Sequence, residues 1–288
     1  MVEYAAEDVI DLSVIVVSWN TAALLRDCLT SLQFAAPRHR LEVIVVDNGS
    51  TDDSASIVRH DFPQTRLIQN ATNAGFARAN NQGIDASRGR YVLLLNSDTF
   101  VPPHTFDELI DFMDGSPSVG LCGPRLTRPD GQTQAYGFGG DPTLRYLLRR
   151  GVYRLILKRP LHDWETREVQ DVDWVSGACV IARREAIGLA GKLDEGIFMY
   201  FEDIDWCLRT RRAGRRVVYN PHISIVHVGG QSLRQNPEAR QAYYQSLEYF
   251  YTKHYTVAAR FLLRCCLIPY RLIVQFRHAN RHRRANRD

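Results

Sequence analysis

Apolar and polar positions fall into alternating blocks over the first half of the chain. Residues 12–18 (LSVIVVS) form a near-continuous apolar run, the pattern of a strand covered on both faces. Leu24, Leu25, Cys28, Leu29 and Leu32 then recur at helical spacing and make one apolar stripe. Residues 42–46 (EVIVV) read as a second buried strand. The turn Asn48-Gly49-Ser50-Thr51-Asp52 leads into a short helix near 53–60, and residues 66–69 give a third, weaker strand. A helix over 76–86, a strand over 91–95 (YVLLL), a helix over 105–113 and a strand over 119–123 continue the series. This alternation predicts an α/β fold with a mostly parallel central sheet flanked by helices. Ligands of such sheets bind at the carboxyl ends of the strands.

The second half is less regular. Residues 141–168, rich in arginine, read as a long loop or insertion. Strands are expected at 172–176, 178–183, 216–219 and 223–228, and helices at 203–213 and 237–255. Without repeats, low-complexity tracts or a clear linker, the chain reads as one domain over 1–256, with halves of about 11–125 and 126–256. A basic amphipathic extension, 257–288, follows it.

Charge separates that extension from the rest. The 288 residues carry a formal net charge of +4, but eight arginines against one acid, Asp288, place +7 on 257–288. The remaining body is therefore −3. In the extension Phe261, Leu262, Leu263, Leu267 and Ile268 are interrupted by Arg260, Arg264, Arg271 and Arg277, and Pro269 breaks or kinks any helix. Such a segment is too charged to span a bilayer and apolar enough to lie on one, with arginines meeting anionic headgroups. Residues 145–159 (RYLLRRGVYRLILKR) have the same character. The competing reading is a helix packed on the body or a homo-oligomer contact. No motif for nucleic acid accompanies the charge. The acidic start MVEYAAEDVIDL is not expected to be a secretory signal, and no run of 18 apolar residues predicts a spanning helix. The six cysteines, at 28, 122, 179, 207, 265 and 266, lack C-x-x-C or zinc spacing and read as free thiols of a reducing compartment. The expectation is a cytoplasmic protein held peripherally at the inner face of the cell membrane.

The buried strands end in polar residues: Ser18-Trp19-Asn20, Asp47-Asn48-Gly49-Ser50 and Asn96-Ser97-Asp98. Each alone is an ordinary turn; three on one sheet edge suggest a site. The position after the first strand, SWNTAALL, has no G-x-G-x-x-G, and no GxxxxGK[ST] occurs, so dinucleotide and phosphate-loop chemistry are excluded. Phosphate charge would have to be met by a divalent cation, Mg²⁺ or Mn²⁺, on Asp98. Further on, FMYFEDIDWC (198–207) sets Glu202, Asp203 and Asp205 among aromatic residues. Carboxylates at the edge of a core are unfavourable unless a cation or substrate compensates them.

SVIVVSWN, VIVVDNGSTDDS, NAGFARANNQGI, GRYVLLLNSD, VSGACVIARREAI, FMYFEDIDWCLRTRRAG and HVGGQS occur in this order over roughly residues 11–232. Together they resemble glycosyltransferase family 2, with its GT-A (nucleotide-diphospho-sugar transferase) fold, in the branch that includes bacterial rhamnosyltransferases. The resemblance implies a nucleotide-binding half, 11–125, and an acceptor half, 126–256. It implies that Asp47 accepts the ring N3–H of a pyrimidine, and that Asn73, Gly75, Asn80 and Ser97 line the donor pocket. The bland reading of Asn73, Gly75 and Asn80 is a helix start. Asn96-Ser97-Asp98 matches the family's Asp-x-Asp metal motif with its first acid replaced, leaving Asp98 as the ligand; His227 matches a further ligand, or is a core histidine. Asp203 matches the general base, with Glu202 positioning the acceptor or the base. Asp205, on another side of the helix, pairs more plausibly with Arg209 at i+4. Trp174 and Gly177 match the sugar and acceptor region, with a core tryptophan as the alternative. The implied function is metal-dependent, inverting transfer of a sugar, best rhamnose from dTDP-rhamnose with UDP-sugars as alternatives. The acceptor would be a lipid-linked or cell-envelope glycan, such as a polyprenyl-diphosphate sugar. The rivals are a sugar-phosphate nucleotidyltransferase and a non-catalytic nucleotide-sugar-binding membrane adaptor.

Overall fold

Each buried run pairs with the next through matched registers. β1 (Leu12–Ser18) lies parallel to both β2 (Leu41–Asp47) and β4 (Tyr91–Asn96), and β3 (Arg66–Gln69) extends the sheet beyond β2. β10 (Cys179–Arg183) runs antiparallel between β4 and β6 (Val119–Thr127), and β6 pairs in parallel with β11 (Arg216–His227). The short β5 (Thr99–Phe100) closes that edge antiparallel to β11, giving the order β3-β2-β1-β4-β10-β6-β11-β5, with β8 (Gln170–Asp171) also on β11. β7 (Phe138–Gly139) and β9 (Trp174–Val175) make a separate small ribbon. The structure is a computed structural model and describes residues 9–229 and 239–268.

Strand alternation assigns the core. Leu12, Val14, Val16, Val45, Leu93 and Leu95 face one layer, packed on α1 (Ala22–Leu32), α2 (Ser54–Asp61) and α4 (Thr105–Asp114). Ile15, Ile44, Val46, Val92 and Leu94 face the other, packed on α3 (Phe76–Ala86), α6 (Arg184–Ala190) and α7 (Glu202–Arg212). Burying each such side chain is worth about 1.5–3 kcal/mol, so both faces of the sheet hold its strands in register. Sheet and helices form the expected α/β arrangement.

The second half departs from the sequence reading in three places. Residues 141–168 are not one loop: α5 (Leu144–Leu155) occupies their first half, capped by the Thr143 hydroxyl accepting from Tyr146 N–H. The strands expected at 216–219 and 223–228 are a single strand, β11, with a register shift between Asn220 and Ser224 where Pro221 interrupts the ladder. The strand expected at 172–176 is reduced to the two residues of β9, with β8 just before it. α8 (Ala239–His254) and a helix over 257–268, α9, pack on α7 through Phe201, Leu208, Leu247, Phe250, Tyr251 and Leu263. The basic extension is thus docked as far as 268; its arginines at 271 and beyond, and Pro269, lie outside the described residues, as does the end of the HVGGQS stretch.

Candidate functional site

The carboxyl ends of β1 and β4 and the loop after β2 open on one cleft of about 300 Å³. Asn96, Ser97, Asp98 and His227 line it together with Gly177, Glu202 and Asp203, and Asn73 and Gly75 are also in the lining. Residues 98 and 203, far apart in sequence, therefore share one hollow.

Asn48 builds the wall beside Asn73. Its side-chain oxygen accepts from Ala74 N–H (3.0 Å) and its amide donates to Asn73 Oδ1 (2.8 Å), pinning the loop that leads into α3. Gly75 has φ +88°, and a Cβ there would meet the Phe198 ring at 2.8 Å, so only glycine admits Phe198 to the cleft wall. Ser97 Oγ meets Thr21 Oγ1 at 2.8 Å, joining the ends of β1 and β4.

His227 ends β11 opposite β5. Gln134 Nε2 donates to the His227 carbonyl, which turns Gln134 Oε1 towards Nδ1 at 2.9 Å. Nδ1 therefore carries the proton and Nε2 presents its lone pair. Nε2 lies 3.3 Å from Asp98 Oδ1 and 3.3 Å from Asn96 Nδ2. Asp98 Oδ2 accepts from Gly229 N–H at 3.2 Å. A carboxylate oxygen and an imidazole nitrogen 3.3 Å apart are the kinds of atom that ligate a divalent cation, the carboxylate being the ligand that suits Mg²⁺ or Mn²⁺. Gln134 is the outer partner that such a histidine requires. Among the described residues no group of three or more His, Cys, Asp or Glu side chains forms a metal cluster; the site here is two such residues plus an asparagine.

Across the cleft, Tyr200 (φ +64°) and Phe201 (φ +71°) both take left-handed backbone conformations immediately before α7. Such residues cost about 1–3 kcal/mol each and persist where packing over-determines them; Phe201 is buried against Tyr243 and Phe250. This kink aims the first turn of α7 at the cleft. Asp203 Oδ2 accepts from Gly177 N–H (2.9 Å) and Oδ1 from Ile204 N–H (2.8 Å). Glu202 is buried and its Oε2 has no partner. Burial pushes Glu202 well above the ordinary glutamate range, and the neighbouring Asp203 charge adds to the shift. Burial also raises Asp203, but its two backbone donors oppose the rise. The charge of the pair therefore belongs on Asp203 and the proton on Glu202.

Asp205 faces away and is fully buried. Its carboxylate meets Arg209 Nε (2.8 Å), Lys253 Nζ (2.8 Å) and His254 Nε2 (2.6 Å), so it ties α7 to α8. Burial alone would raise its pKa; Lys253, Arg209 and His254 outweigh that and hold it below the ordinary aspartate range.

Three residues singled out from the sequence stand outside the cleft lining. Asn80 is buried and donates to the Phe76 carbonyl of its own helix (3.0 Å). Trp174 donates from Nε1 to Gly140 O (2.9 Å) in the β7–β9 ribbon. Asp47 is wholly enclosed at the end of β2, with neither carboxylate oxygen partnered. In the other direction, Thr21 lines the cleft without a role read from the sequence, alongside Trp19 of the first strand end and Met199 and Tyr200 of the aromatic stretch. Gln134 carried no local sequence signal, because its partner lies 93 residues away.

A family model described as "Glycosyl transferase family 2" matches residues 13–159, and one described as "Glycosyl transferase family group 2" matches 91–279. The chain is 29% identical over 260 residues to the N-acetylglucosaminyl-diphospho-decaprenol L-rhamnosyltransferase of Mycobacterium tuberculosis, covering 83% of each protein. It is 25% identical to the low-salt glycan biosynthesis hexosyltransferase Agl10 of Haloferax volcanii, over 75% of this chain and 67% of that one. Among solved structures, S. aureus TarS superposes with a TM-score of 0.59 at 18% identity, over 87% of this chain and 41% of TarS. The mannosyltransferase PcManGT of Pyrobaculum calidifontis, solved with GDP-Man and Mn²⁺, superposes with a TM-score of 0.56 at 18% identity, over 93% of this chain and 84% of that one. These likenesses show the fold, GT-A.

Proposed function

The chain belongs to glycosyltransferase family 2, and from that premise we propose that it transfers rhamnose, with inversion, from dTDP-rhamnose to a hydroxyl of a polyprenyl-diphosphate-linked sugar at the inner face of the membrane. The observation that carries this is that Asp98, His227 and Asp203 line one cleft, with Asp98 and His227 in contact. The choice of sugar and lipid-linked acceptor rests on the similarity to the mycobacterial rhamnosyltransferase.

A divalent cation, Mg²⁺ or Mn²⁺, held by Asp98 and His227 with Asn96 beside them, would supply charge to stabilise the leaving nucleoside diphosphate. Asp203 accepts the proton of the acceptor hydroxyl as that oxygen attacks the anomeric carbon from the face opposite the leaving group. Direct displacement inverts that centre. Glu202, holding its proton, donates a hydrogen bond to a sugar oxygen and keeps a second negative charge away from the base. Phe198, Met199 and Tyr200 exclude water from the reacting centre. Gly177 fixes the base through its N–H. Asn73, Gly75 and Ser97 bound the donor side. Asp47, buried at the end of β2 with both carboxylate oxygens unpartnered, is the acceptor for the imide N–H of the thymine ring. In this reading Asn80 and Trp174 support the cleft from behind.

The test is a product assay with dTDP-rhamnose, Mn²⁺ or Mg²⁺ and a polyprenyl-diphosphate-linked N-acetylglucosamine. Release of dTDP with formation of a lipid-linked disaccharide is expected. Release of pyrophosphate would mark a nucleotidyltransferase, and binding without product a non-catalytic adaptor; either result overturns the proposal. Turnover with UDP-sugars alone would overturn the assignment of the donor.

A further inference from the structure

α5 is a helix with none of its residues buried, although it lies against the body. Leu144 and Leu147 pack inward on the cluster of Phe201, Phe250 and Leu263. Leu148, Val152 and Leu155 recur at i, i+4 and i+7 on the outer side and are 62%, 44% and 52% exposed. At 100° per residue, Arg145 and Arg149 flank this stripe on one side, and the exposed Arg154 lies beyond Leu147 on the other. Ile156 and Leu157, just past the helix, are exposed as well, and Lys158 and Arg159 follow them. Residues 144–159 contain five arginines, one lysine and no acid.

Apolar side chains left in water on a helix whose charged residues are all positive match the boundary between anionic headgroups and acyl chains. An acidic protein surface would match the charge but not the stripe, and a second copy of this chain would set like charges against each other. α9 adds a second outward apolar set, Val257, Phe261 and Ile268, and packs its inner residue Leu263 on the same cluster as α5. That cluster is bordered by Tyr200, which lines the cleft.

We propose that the outer face of α5, assisted by α9, docks the protein on an anionic phospholipid surface and holds the acceptor side of the cleft against it. The purpose of this docking rests on the lipid-linked acceptor proposed above; the docking itself does not. Full-length protein is sedimented with vesicles of phosphatidylcholine alone or with about one third phosphatidylglycerol. Binding only to the anionic vesicles, weakened by salt, is expected. Arg145→Glu/Arg149→Glu/Arg154→Glu, all exposed positions, should weaken partitioning at least about a hundredfold. Leu148→Ser/Val152→Ser/Leu155→Ser should weaken it while keeping the salt dependence. Both variants should keep wild-type nucleotide release with a short-chain, detergent-soluble acceptor, which separates failed docking from failed transfer. Equal binding to neutral vesicles, or unchanged binding by both variants, overturns the proposal. So does an α5-dependent dimer in sedimentation velocity without vesicle binding, which would give the face to a second copy.

Discussion

Asp203 and Glu202 are adjacent in sequence and opposite in state. Two backbone N–H groups stabilise the aspartate anion, while nothing answers Glu202 Oε2. Asp203→Asn removes the proton acceptor without changing shape, so kcat should fall at least about a thousandfold, while calorimetry shows donor binding unchanged. Unimpaired turnover would withdraw the base role. Glu202→Gln should act on stability. The raised pKa means that the folded state binds more protons than the unfolded chain, so wild-type stability falls as pH rises above the ordinary glutamate value of 4.5. The variant escapes that loss. Its melting temperature should exceed wild type at pH 8 by a margin that shrinks as pH falls towards 4.5; a margin independent of pH would show that Glu202 is not held protonated.

At the scale of elements, α7 is fixed by what its other side holds. Asp205 joins Arg209, Lys253 and His254, and Asp194 takes Lys253 and Tyr249 as well, so α8 and the loop before α7 meet at one buried charge cluster. His254 Nδ1 accepts from Arg212 Nη1, which leaves Nε2–H to donate to Asp205. Asp205→Ala leaves Arg209 and Lys253 without their anion and His254 without its acceptor, and should cost about 3–5 kcal/mol in urea melts near neutral pH. The lowered pKa of Asp205 means that its contribution is present above the ordinary aspartate value of 3.8 and is lost as pH falls through the folded value. The deficit should therefore narrow in acid. A cost under about 1 kcal/mol would reduce the cluster to the worth of a surface pair.

Across the whole molecule, charge and packing divide the work of the C-terminal region. Leu263 is 1% exposed in the cluster with Phe250 and Tyr251, so α9 is part of the body's packing as well as of its basic surface. A chain ending at 256 should melt several degrees lower than one ending at 268, because a buried leucine is worth about 1.5–3 kcal/mol. Equal melting temperatures would show that α9 contributes nothing to the fold. Among the described residues no helix is long and apolar enough to cross a membrane.

Local pattern alone determined β1 to β4, β6 and the helices α1 to α4, and the polar residues at the strand ends, because a period of two or 3.6 and a buried apolar run are properties of neighbouring residues. It likewise placed Asp203 in the first turn of a helix and paired Asp205 with Arg209, four positions on. Tertiary structure decided the rest. It drew a helix from 144–155, where a stripe half inward and half exposed hides among arginines. It enclosed Asp47, joined Trp174 to Gly140, and brought Gln134 to His227 and Lys253 to Asp205. Those outcomes depend on contacts between residues tens to more than a hundred positions apart, and no local periodicity encodes which distant group will satisfy a buried polar atom.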